Sequence, residues 1–309
     1  MPAEPLRIGT RGSALALHQA NLVRDGLRAR HPDLAGEDAV VLLPIRTTGD
    51  RVQDRLLAEI GGKGLFTKEI EAALLDRRID LAVHSLKDME TVLPEGLEIG
   101  CVLAREDPRD VLVSRGGAGL AELPAGARVG TASLRRRAQL LQRRPDLAVV
   151  PIRGNVDTRL AKMEAGEVDA LVLALSGLIR LGRASVVSEI LSPAIMLPAV
   201  GQGALAVECR SDDDTVKSRI GTLHDPASAA CVAAERTMLA ALDGSCRTPI
   251  AGFAEWRNGR VRLSALLLTP DGSAQRQAEG EAPAADAVAL GRDVGAQLRV
   301  GAGPEFGLG

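Results

Sequence analysis

Residues 6–27 read LRIGTRGSALALHQANLVRDGL, and the fold prediction starts from this stretch. Leu6–Arg11 predicts a short strand that runs into a polar turn. Ser13 then offers a side-chain oxygen of the kind that caps a helix. The helix that follows carries its apolar residues mostly on one face, at Leu15, Leu17, Leu22, Val23 and Leu27. The stretch therefore predicts a strand followed directly by an amphipathic helix.

The alternation of strand and helix continues along the chain. A continuous apolar run at Val40–Ile45 is typical of a strand buried in a parallel sheet. Further predicted elements before residue 105 are a helix at Leu65–Leu75 and strands at Asp80–His84 and Leu97–Leu103. This βαβ pattern indicates an α/β fold with right-handed crossovers.

The charged stretch Arg105–Asp110 contains a proline and shows no periodicity, and we interpret it as a hinge between two lobes. A second α/β run follows, with strands predicted at Arg128–Gly130, Leu147–Ile152 and Asp169–Leu175 and helices beginning at Ser133 and Val156. The strand Gly203–Cys209 is predicted to return to the first lobe, so that the chain crosses between the lobes twice.

A different unit is predicted from about Asp225 onwards. It consists of a long helix, a loop, two strands and a terminal helix, at Ala227–Leu242, Asp243–Pro249, Ile250–Trp256, Val261–Leu268 and about Ala285–Val300. The predicted division is residues 1–104 with 202–222, residues 105–201, and residues 223–309. The third part is a small α+β domain that carries Cys246.

Composition disfavours several classes of partner. The 38 basic and 40 acidic residues give a net charge of −2, which provides no attraction to nucleic acid or to an anionic membrane. Single-stranded nucleic-acid binders use aromatic platforms, and this chain has 3 phenylalanines, 1 tryptophan and no tyrosine. It has no membrane-spanning apolar run and no signal peptide, and its four widely spaced cysteines fit a reducing compartment. We expect a cytoplasmic protein, without a metal site because the histidines lie far apart.

Arginines stand in turns at the ends of three predicted strands. These turns are Thr10–Ser13, Gly130–Arg137 and Arg153–Arg159. Ligands of open α/β sheets bind outside the carboxyl ends of the strands, where helix N-termini also attract anions. The turns therefore predict a cleft for a ligand with several negative groups. The alternative interpretation is that these arginines are ordinary surface charges or helix caps.

Two further side chains are candidates for chemistry. Asp88 follows Lys87 at the end of a strand, where a carboxylate held ionised could accept N–H bonds or stabilise a cation; a structural ion pair is the alternative. Cys246 lies in a Gly-Ser-Cys-Arg loop, where exposure and Arg247 would favour the thiolate. The other cysteines lie in apolar contexts that are typical of small core residues.

These segments together resemble the porphobilinogen deaminase (hydroxymethylbilane synthase) family. The matching segments are residues 6–17, 61–66, 82–88, 105–110, 130–136, 153–159 and 197–204 and the Cys246 loop. The resemblance runs in order from about residue 6 to 255. It implies two lobes with mixed sheets, like those of periplasmic binding proteins, and a small C-terminal α+β domain.

The resemblance also implies an activity and a cofactor. In that family a cysteine, here Cys246, bears a dipyrromethane primer through a thioether. Four porphobilinogen molecules are deaminated and added in turn, and hydroxymethylbilane is released by hydrolysis. Asp88 is the candidate catalytic carboxylate, which would bond pyrrole N–H groups and stabilise the cationic azafulvene formed when ammonia leaves. We expect porphobilinogen as the small-molecule partner, and a monomer.

Each porphobilinogen ring brings two carboxylates, which basic and hydroxyl side chains would bind. The residues implied for primer and substrate binding are Arg11, Ser13, Lys63, Lys87, Thr131, Ser133, Arg135, Arg136, Arg153, Arg159, Arg180 and Gln202. Phe66 and Lys63 lie on the segment that resembles the family's cleft-covering loop.

The sequence departs from the family pattern at three places. Glu59 stands where a lysine is frequent, Met89-Glu90 where Val-Pro is frequent, and Ala132 where some relatives have serine. A non-catalytic anion-binding module with two lobes remains an alternative, although it would not explain a third domain with a cysteine. A nucleic-acid binder is disfavoured by charge and by the scarcity of aromatic residues.

Overall fold

The computed structural model describes residues 4–51, 64–243 and 248–308. Its strands are β1 (Leu6–Thr10), β2 (Val40–Pro44), β3 (Leu81–Ser85), β4 (Leu97–Val102), β5 (Asp110–Ser114), β6 (Arg128–Gly130), β7 (Ala148–Val150), β8 (Ala170–Ala174), β9 (Glu189–Leu191), β10 (Leu205–Arg210), β11 (Ile250–Arg257), β12 (Arg260–Leu268) and β13 (Gln275–Pro283). Its α-helices are α1 (Ala14–Arg30), α2 (Thr48–Arg51), α3 (Lys68–Leu75), α4 (Leu134–Arg143), α5 (Val156–Glu164), α6 (Leu175–Arg180), α7 (Asp214–Gly221), α8 (Pro226–Ala241) and α9 (Ala287–Arg299). Among the helices of these ranges, none is both long and apolar enough to cross a membrane.

The strands form two five-stranded mixed sheets and one three-stranded sheet. The first has the order β2-β1-β3-β10-β4, in which β1 is parallel to β2 and β3, and β10 is antiparallel to both of its neighbours. The second has the order β7-β6-β8-β5-β9 and the same pattern of directions, with β5 in the place of β10. The predicted α/β fold with mixed sheets and a small C-terminal α+β part is confirmed.

The described residues fall into two compact units. The first contains residues 4–51, 64–105 and 204–229, and the second contains residues 106–203, 230–243 and 248–308. The prediction that the strand near residue 205 returns to the first lobe agrees with the position of β10 between β3 and β4. The finer division into three domains stays a prediction.

The first unit buries both faces of its sheet. Ile8 and Val207 pack towards α1 and α7 on one face, and Ala82 packs against Ile70 and Leu74 of α3 on the other. Parallel strands usually occur in sheets that are covered on both faces, and ligands bind outside the carboxyl ends of these strands. The core therefore fixes the ends of β1 and β3, from which the candidate site is built.

The second unit combines the second five-stranded sheet with the C-terminal part. Leu140 of α4 and Leu160 of α5 belong to cores on opposite faces of that sheet. In the C-terminal part, Met238 of α8 and Val294 of α9 pack on Leu263 of β12. This arrangement confirms a long helix before the loop that carries Cys246 and a terminal helix after the sheet.

Three strands were absent from the sequence prediction. β5 begins at Asp110, where the sequence predicts the end of the hinge, and β9 has three residues, too few for a period to show. β13 has the polar sequence QRQAEGEAP, in which Ala278 is the buried residue. It is an edge strand with one face towards solvent, so packing by β12 decides its conformation rather than β-propensity.

Two of the predicted starts are moved by glycines with a positive φ. The helix predicted from Leu65 begins at Lys68, because Gly64 has a positive φ of 73° and residues 65–67 form a turn. The strand predicted from Gly203 begins at Leu205. Gly203 has a φ of 88°, and a side chain there would collide with the carbonyl oxygen of Glu106.

Candidate active site

A cavity in the first unit gathers several of the predicted site residues. It has a volume of about 60 Å³ and is lined by Arg11, Ser13, Leu15, Ala16, Gln19, Phe66, Thr67, Val83, His84, Ser85 and Asp88. It lies where β1 and β3 end and α1 begins. One water molecule needs roughly 10–15 Å³ of such space, so the cavity has room for a small polar group such as one carboxylate. Arg11, Ser13, Phe66 and Asp88 thus lie around one site.

Asp88 is held by a 3₁₀ turn that directly follows β3. The turn spans Leu86–Asp88, and the buried side chains of Leu86 and Met89 anchor its two ends. The Leu86 N–H donates to the carbonyl oxygen of Ala204 at 3.1 Å, which ties the turn to the chain entering β10. Asp88 is half-buried between these anchors. The departure at Met89 therefore preserves an apolar anchor for the turn.

The second departure, Glu90, has a contact of its own. Its Oε1 atom accepts a hydrogen bond from the Gly64 N–H at 2.9 Å. This bond links the chain after Asp88 to the start of the segment that leads to Phe66. Lys63 and Glu59 lie outside the described residues.

Arg11 is already engaged in this structure. Its Nη2 and Nε atoms donate to Asp50 Oδ1 at 2.5 and 3.2 Å, and its guanidinium lies 4.1 Å from the centre of the Phe66 ring. Burial would raise the pKa of Asp50, but the hydrogen bonds from Arg11 and Thr47 hold that pKa below its ordinary value. About a quarter (26%) of the Arg11 side chain stays exposed, so a ligand carboxylate can join or replace Asp50.

Arg135 and Arg136 have an internal partner in the second unit. Arg135 Nη1 lies 2.8 Å from Asp110 Oδ2, and Arg136 Nη2 lies 2.7 Å from Asp110 Oδ1. Gln202 Nε2 donates to the same carboxylate at 3.0 Å and to the Pro108 carbonyl at 2.7 Å. Burial opposes ionisation, but the two guanidiniums hold the pKa of Asp110 far below its usual range. The contacts described for these predicted ligands are thus internal, and direct contact with a substrate stays a prediction.

Three predicted turns open helices with side-chain caps. Ser13, Ser133 and Asn155 accept hydrogen bonds from the backbone N–H groups of Ala16, Arg136 and Thr158, at 3.3, 3.4 and 2.8 Å. Each cap follows a strand, namely β1, β6 or β7. The structure therefore places each turn at the carboxyl end of a strand and the N-terminus of a helix, which is the arrangement that favours anions.

The remaining predicted ligands of the second unit lie on or near these turns. Thr131 is buried, and its Oγ1 accepts from the Ser133 N–H at 3.2 Å. Arg159 Nε donates to the Gly154 carbonyl at 2.8 Å, and Arg180 Nη2 donates to the Gly203 carbonyl at 2.7 Å. Burial lowers the pKa of Arg180. Lys87 and Arg153 are half-buried.

Sequence reasoning missed four polar residues that line the cavity, namely Gln19, Thr67, His84 and Ser85. Gln19 is 3% exposed, and its Nε2 donates to Ser85 Oγ at 2.9 Å. The signal was available in part, because Gln19 falls on the buried face of α1 with Ala16, Ala20 and Val23. A polar residue within an apolar helical face indicates a buried hydrogen-bond partner.

The structure describes three of the four cysteines, and Cys246 itself lies outside the described ranges. Cys101, Cys209 and Cys231 are buried. Burial raises the pKa of Cys101 to about 12 and that of Cys209 to about 11, so neither is an activated thiol. Within residues 4–51, 64–243 and 248–308, no group of three His, Cys, Asp or Glu side chains has the arrangement of a metal site.

Comparisons with known proteins agree over nearly the whole chain. Residues 6–218 match the family model "Porphobilinogen deaminase, dipyromethane cofactor binding domain", and residues 229–299 match "Porphobilinogen deaminase, C-terminal domain". A porphobilinogen deaminase of Sorangium cellulosum is 53% identical over 305 residues, which cover 97% of this chain and 100% of the relative. One of Paracoccus denitrificans is 55% identical, with coverages of 99% and 97%, and a chloroplastic one of Oryza sativa is 50% identical, with coverages of 97% and 85%.

Among solved structures, a TRAP periplasmic solute binding protein of Desulfovibrio salexigens has a TM-score of 0.43 at 12% identity, covering 72% of this chain and 73% of its own. The alkanesulfonate-binding protein of Xanthomonas axonopodis has a TM-score of 0.39 at 17% identity, with coverages of 77% and 74%. The family models and the sequence relatives carry the assignment: the chain belongs to the porphobilinogen deaminase family.

Proposed function

We propose that this chain is a transferase that deaminates and joins four porphobilinogen molecules in turn on a dipyrromethane primer, and releases hydroxymethylbilane by hydrolysis. The observation that carries the proposal is the match of residues 6–218 to a dipyrromethane cofactor-binding family model. The cavity at the ends of β1 and β3 adds support, because Asp88, Arg11 and Ser13 line it together.

The residues present suit a primer of two pyrrole rings. Each ring carries two carboxylates, and the chain presents three strand-to-helix turns with arginines and with free N–H groups at the helix starts. Ser13, Thr131 and Ser133 add hydroxyl donors, and Lys87, Arg153, Arg159 and Arg180 add positive charge. Lys63 completes this set of proposed ligands. When bound, the primer supplies the pyrrole carbon to which the first substrate is joined.

Asp88 is the proposed catalytic carboxylate. Loss of ammonia from a substrate molecule leaves a pyrrole-based cation, and a carboxylate beside it lowers the energy of that charge. The same carboxylate can accept the pyrrole N–H and take the proton that leaves the attacked carbon. Its half-buried place on a turn anchored at both ends keeps it fixed while successive rings react.

Cys246 is the proposed anchor of the primer, through a thioether. The buried, high-pKa thiols of Cys101 and Cys209 are poor competitors for this role. Arg135, Arg136 and Gln202 are proposed to act chiefly through Asp110, which they surround. Phe66 supports Arg11 from one face of its guanidinium. We further propose a cytoplasmic monomer that uses no metal.

Intact-protein mass spectrometry tests the proposal. The purified wild-type protein should exceed the polypeptide mass by two pyrrole units, and C246A should lack this excess. C231A is the matched control, because it removes a buried thiol and should keep the added mass. A wild-type protein that forms hydroxymethylbilane at the bare polypeptide mass would refute the covalent primer. A wild-type protein that binds anionic pyrroles without forming product would favour the anion-binding module.

A further inference from the structure

A buried cluster of ionisable side chains lies beside the cavity. Glu208 on β10 is 0% exposed, His84 on β3 is 5% exposed and Glu71 on α3 is 8% exposed. His84 Nε2 and Glu208 Oε2 are 2.9 Å apart, which is a hydrogen-bond distance. His84 is also among the residues that line the cavity with Asp88.

The acidic side chains of the cluster have few hydrogen-bond donors and positive charges beside them. Glu208 Oε1 is buried and has no hydrogen-bond partner among the described residues. Arg210 lies on the same face of β10, but its guanidinium is bonded to the carbonyls of Leu74 and Ile79 and to Asp213. Burial raises the pKa of Glu71, and the nearby charges of Glu208 and Glu90 raise it further. His84 is the described hydrogen-bond partner of the Glu208 side chain, at Oε2.

Stability alone does not explain such an arrangement. Replacing both partners of a buried hydrogen bond by apolar groups of the same shape can be nearly neutral or stabilising, so an apolar pair would hold β3 to β10 equally well. The pair instead fixes orientation, because a hydrogen bond restricts the relative orientation of two side chains more narrowly than an apolar contact does.

The pair lies near the carboxyl end of β3, which leads directly into the turn that carries Asp88. His84 pairs with Ala206 and Ser85 with Leu205 in the β3–β10 ladder. The next residue, Leu86, donates to Ala204, and the turn that carries Asp88 begins there. The His84–Glu208 contact thus runs diagonally across the ladder, because Glu208 pairs with Ala82 while His84 lies on the last rung but one, four residues before Asp88.

We propose that His84 is a positioning residue for Asp88, and that the buried Glu208 carboxylate orients it. The pair fixes the register and angle at which the carboxyl end of β3 delivers Asp88 to the cavity. This inference rests on the proposed function, because it takes Asp88 as the reacting carboxylate.

The test compares H84A, H84Q, E208Q and E208L with the wild type, in primer-loaded protein. Porphobilinogen turnover should show kcat at least tenfold lower in H84A and E208L, with KM within twofold of wild type. H84Q retains a hydrogen-bond donor and E208Q retains an acceptor at the same place. Each should therefore keep most of the wild-type kcat, and both can be measured even if H84A does not fold. Wild-type ¹⁵N spectra should show Nε2 as the protonated nitrogen of His84, one of four histidines to resolve.

D80N is the matched control at the opposite end of β3. It breaks the ion pair of Asp80 with Arg7, whose atoms are 2.7 Å apart, and should lower stability without lowering kcat per folded molecule. A wild-type kcat in E208L or in folded H84A would overturn the positioning role, as would an equal loss in D80N. An inactive, primer-free wild type would instead overturn the proposed function.

Discussion

Ser13 illustrates how one side chain can serve the fold and a ligand together. Its oxygen accepts from the Ala16 N–H, which satisfies a donor at the start of α1. A hydroxyl that accepts in this way still has its own proton to donate. An incoming carboxylate can accept a hydrogen bond from this hydroxyl while the helix stays capped. Ser133 has the same cap geometry at the start of α4.

D88N should lower kcat by about 10²–10⁴-fold, the range that a positioned acid–base group contributes. The amide keeps the size of the side chain but can neither carry the charge nor take the proton. Single-turnover assays with primer-loaded protein would measure the effect, and circular dichroism would verify folding. D76N is the control, because Asp76 is an exposed carboxylate of the same unit. A D88N rate within threefold of wild type would remove Asp88 from the mechanism.

Thiol labelling should distinguish the four cysteines. In native protein at pH 8, a maleimide should leave Cys101 and Cys209 unlabelled, because both are buried and have raised pKa values, to about 12 and 11. After denaturation, primer-loaded protein should take up three labels, since a thioether at Cys246 blocks the fourth. Mass spectrometry of the labelled chains gives the count. Four labels on chains that retain the added pyrrole mass would place the primer elsewhere.

At the scale of the element, Asp110, the first residue of β5, links this strand to α4. It accepts from Arg135, Arg136 and Gln202, and its own exposure is 0%. Removing one partner of a buried charge network leaves the others unpaired, which typically costs about 3–5 kcal/mol. The arginines thus connect the second sheet to the helix that begins in an arginine turn.

D110N should lower the melting temperature by about 10 °C. Because the pKa of Asp110 is depressed in the folded state, its charge stabilises the protein above the unfolded pKa of about 3.8, and this is lost only as pH falls through the lower folded pKa. The difference between wild type and D110N should therefore stay constant from pH 5 to 8. D107N, which breaks a partly exposed pair with Arg109, should show a much smaller change. Equal melting temperatures for wild type and D110N would contradict this.

Local signals were sufficient to predict some elements and not others. β1 and α1 were predicted because the apolar period and the Ser13 cap lie within a few residues of each other. Asp88 was found because it closes a strand. The contacts of Asp110 with Arg135 and Arg136 were not predicted, because the two arginines follow Asp110 by 25 and 26 positions and meet it only through the fold of the sheet. β13 was missed because its polar strand depends on β12.

At the scale of the whole molecule, the proposed single chain in solution gives a direct prediction. Light scattering after size-exclusion chromatography should give a mass near 32.3 kDa plus that of the primer. A mass of twice this value at micromolar concentration would refute the monomer.

The strand order of the first sheet has a consequence for synthesis on the ribosome. β4 joins this sheet through β10, which the ribosome adds roughly 100 residues later. At 5–20 residues per second, β4 therefore waits about 5–20 s for its neighbour. All five strands of the second sheet emerge within that interval. The first five-stranded sheet to begin is thus the second to be completed, and nascent chains that end before residue 205 carry β4 as an unpaired edge.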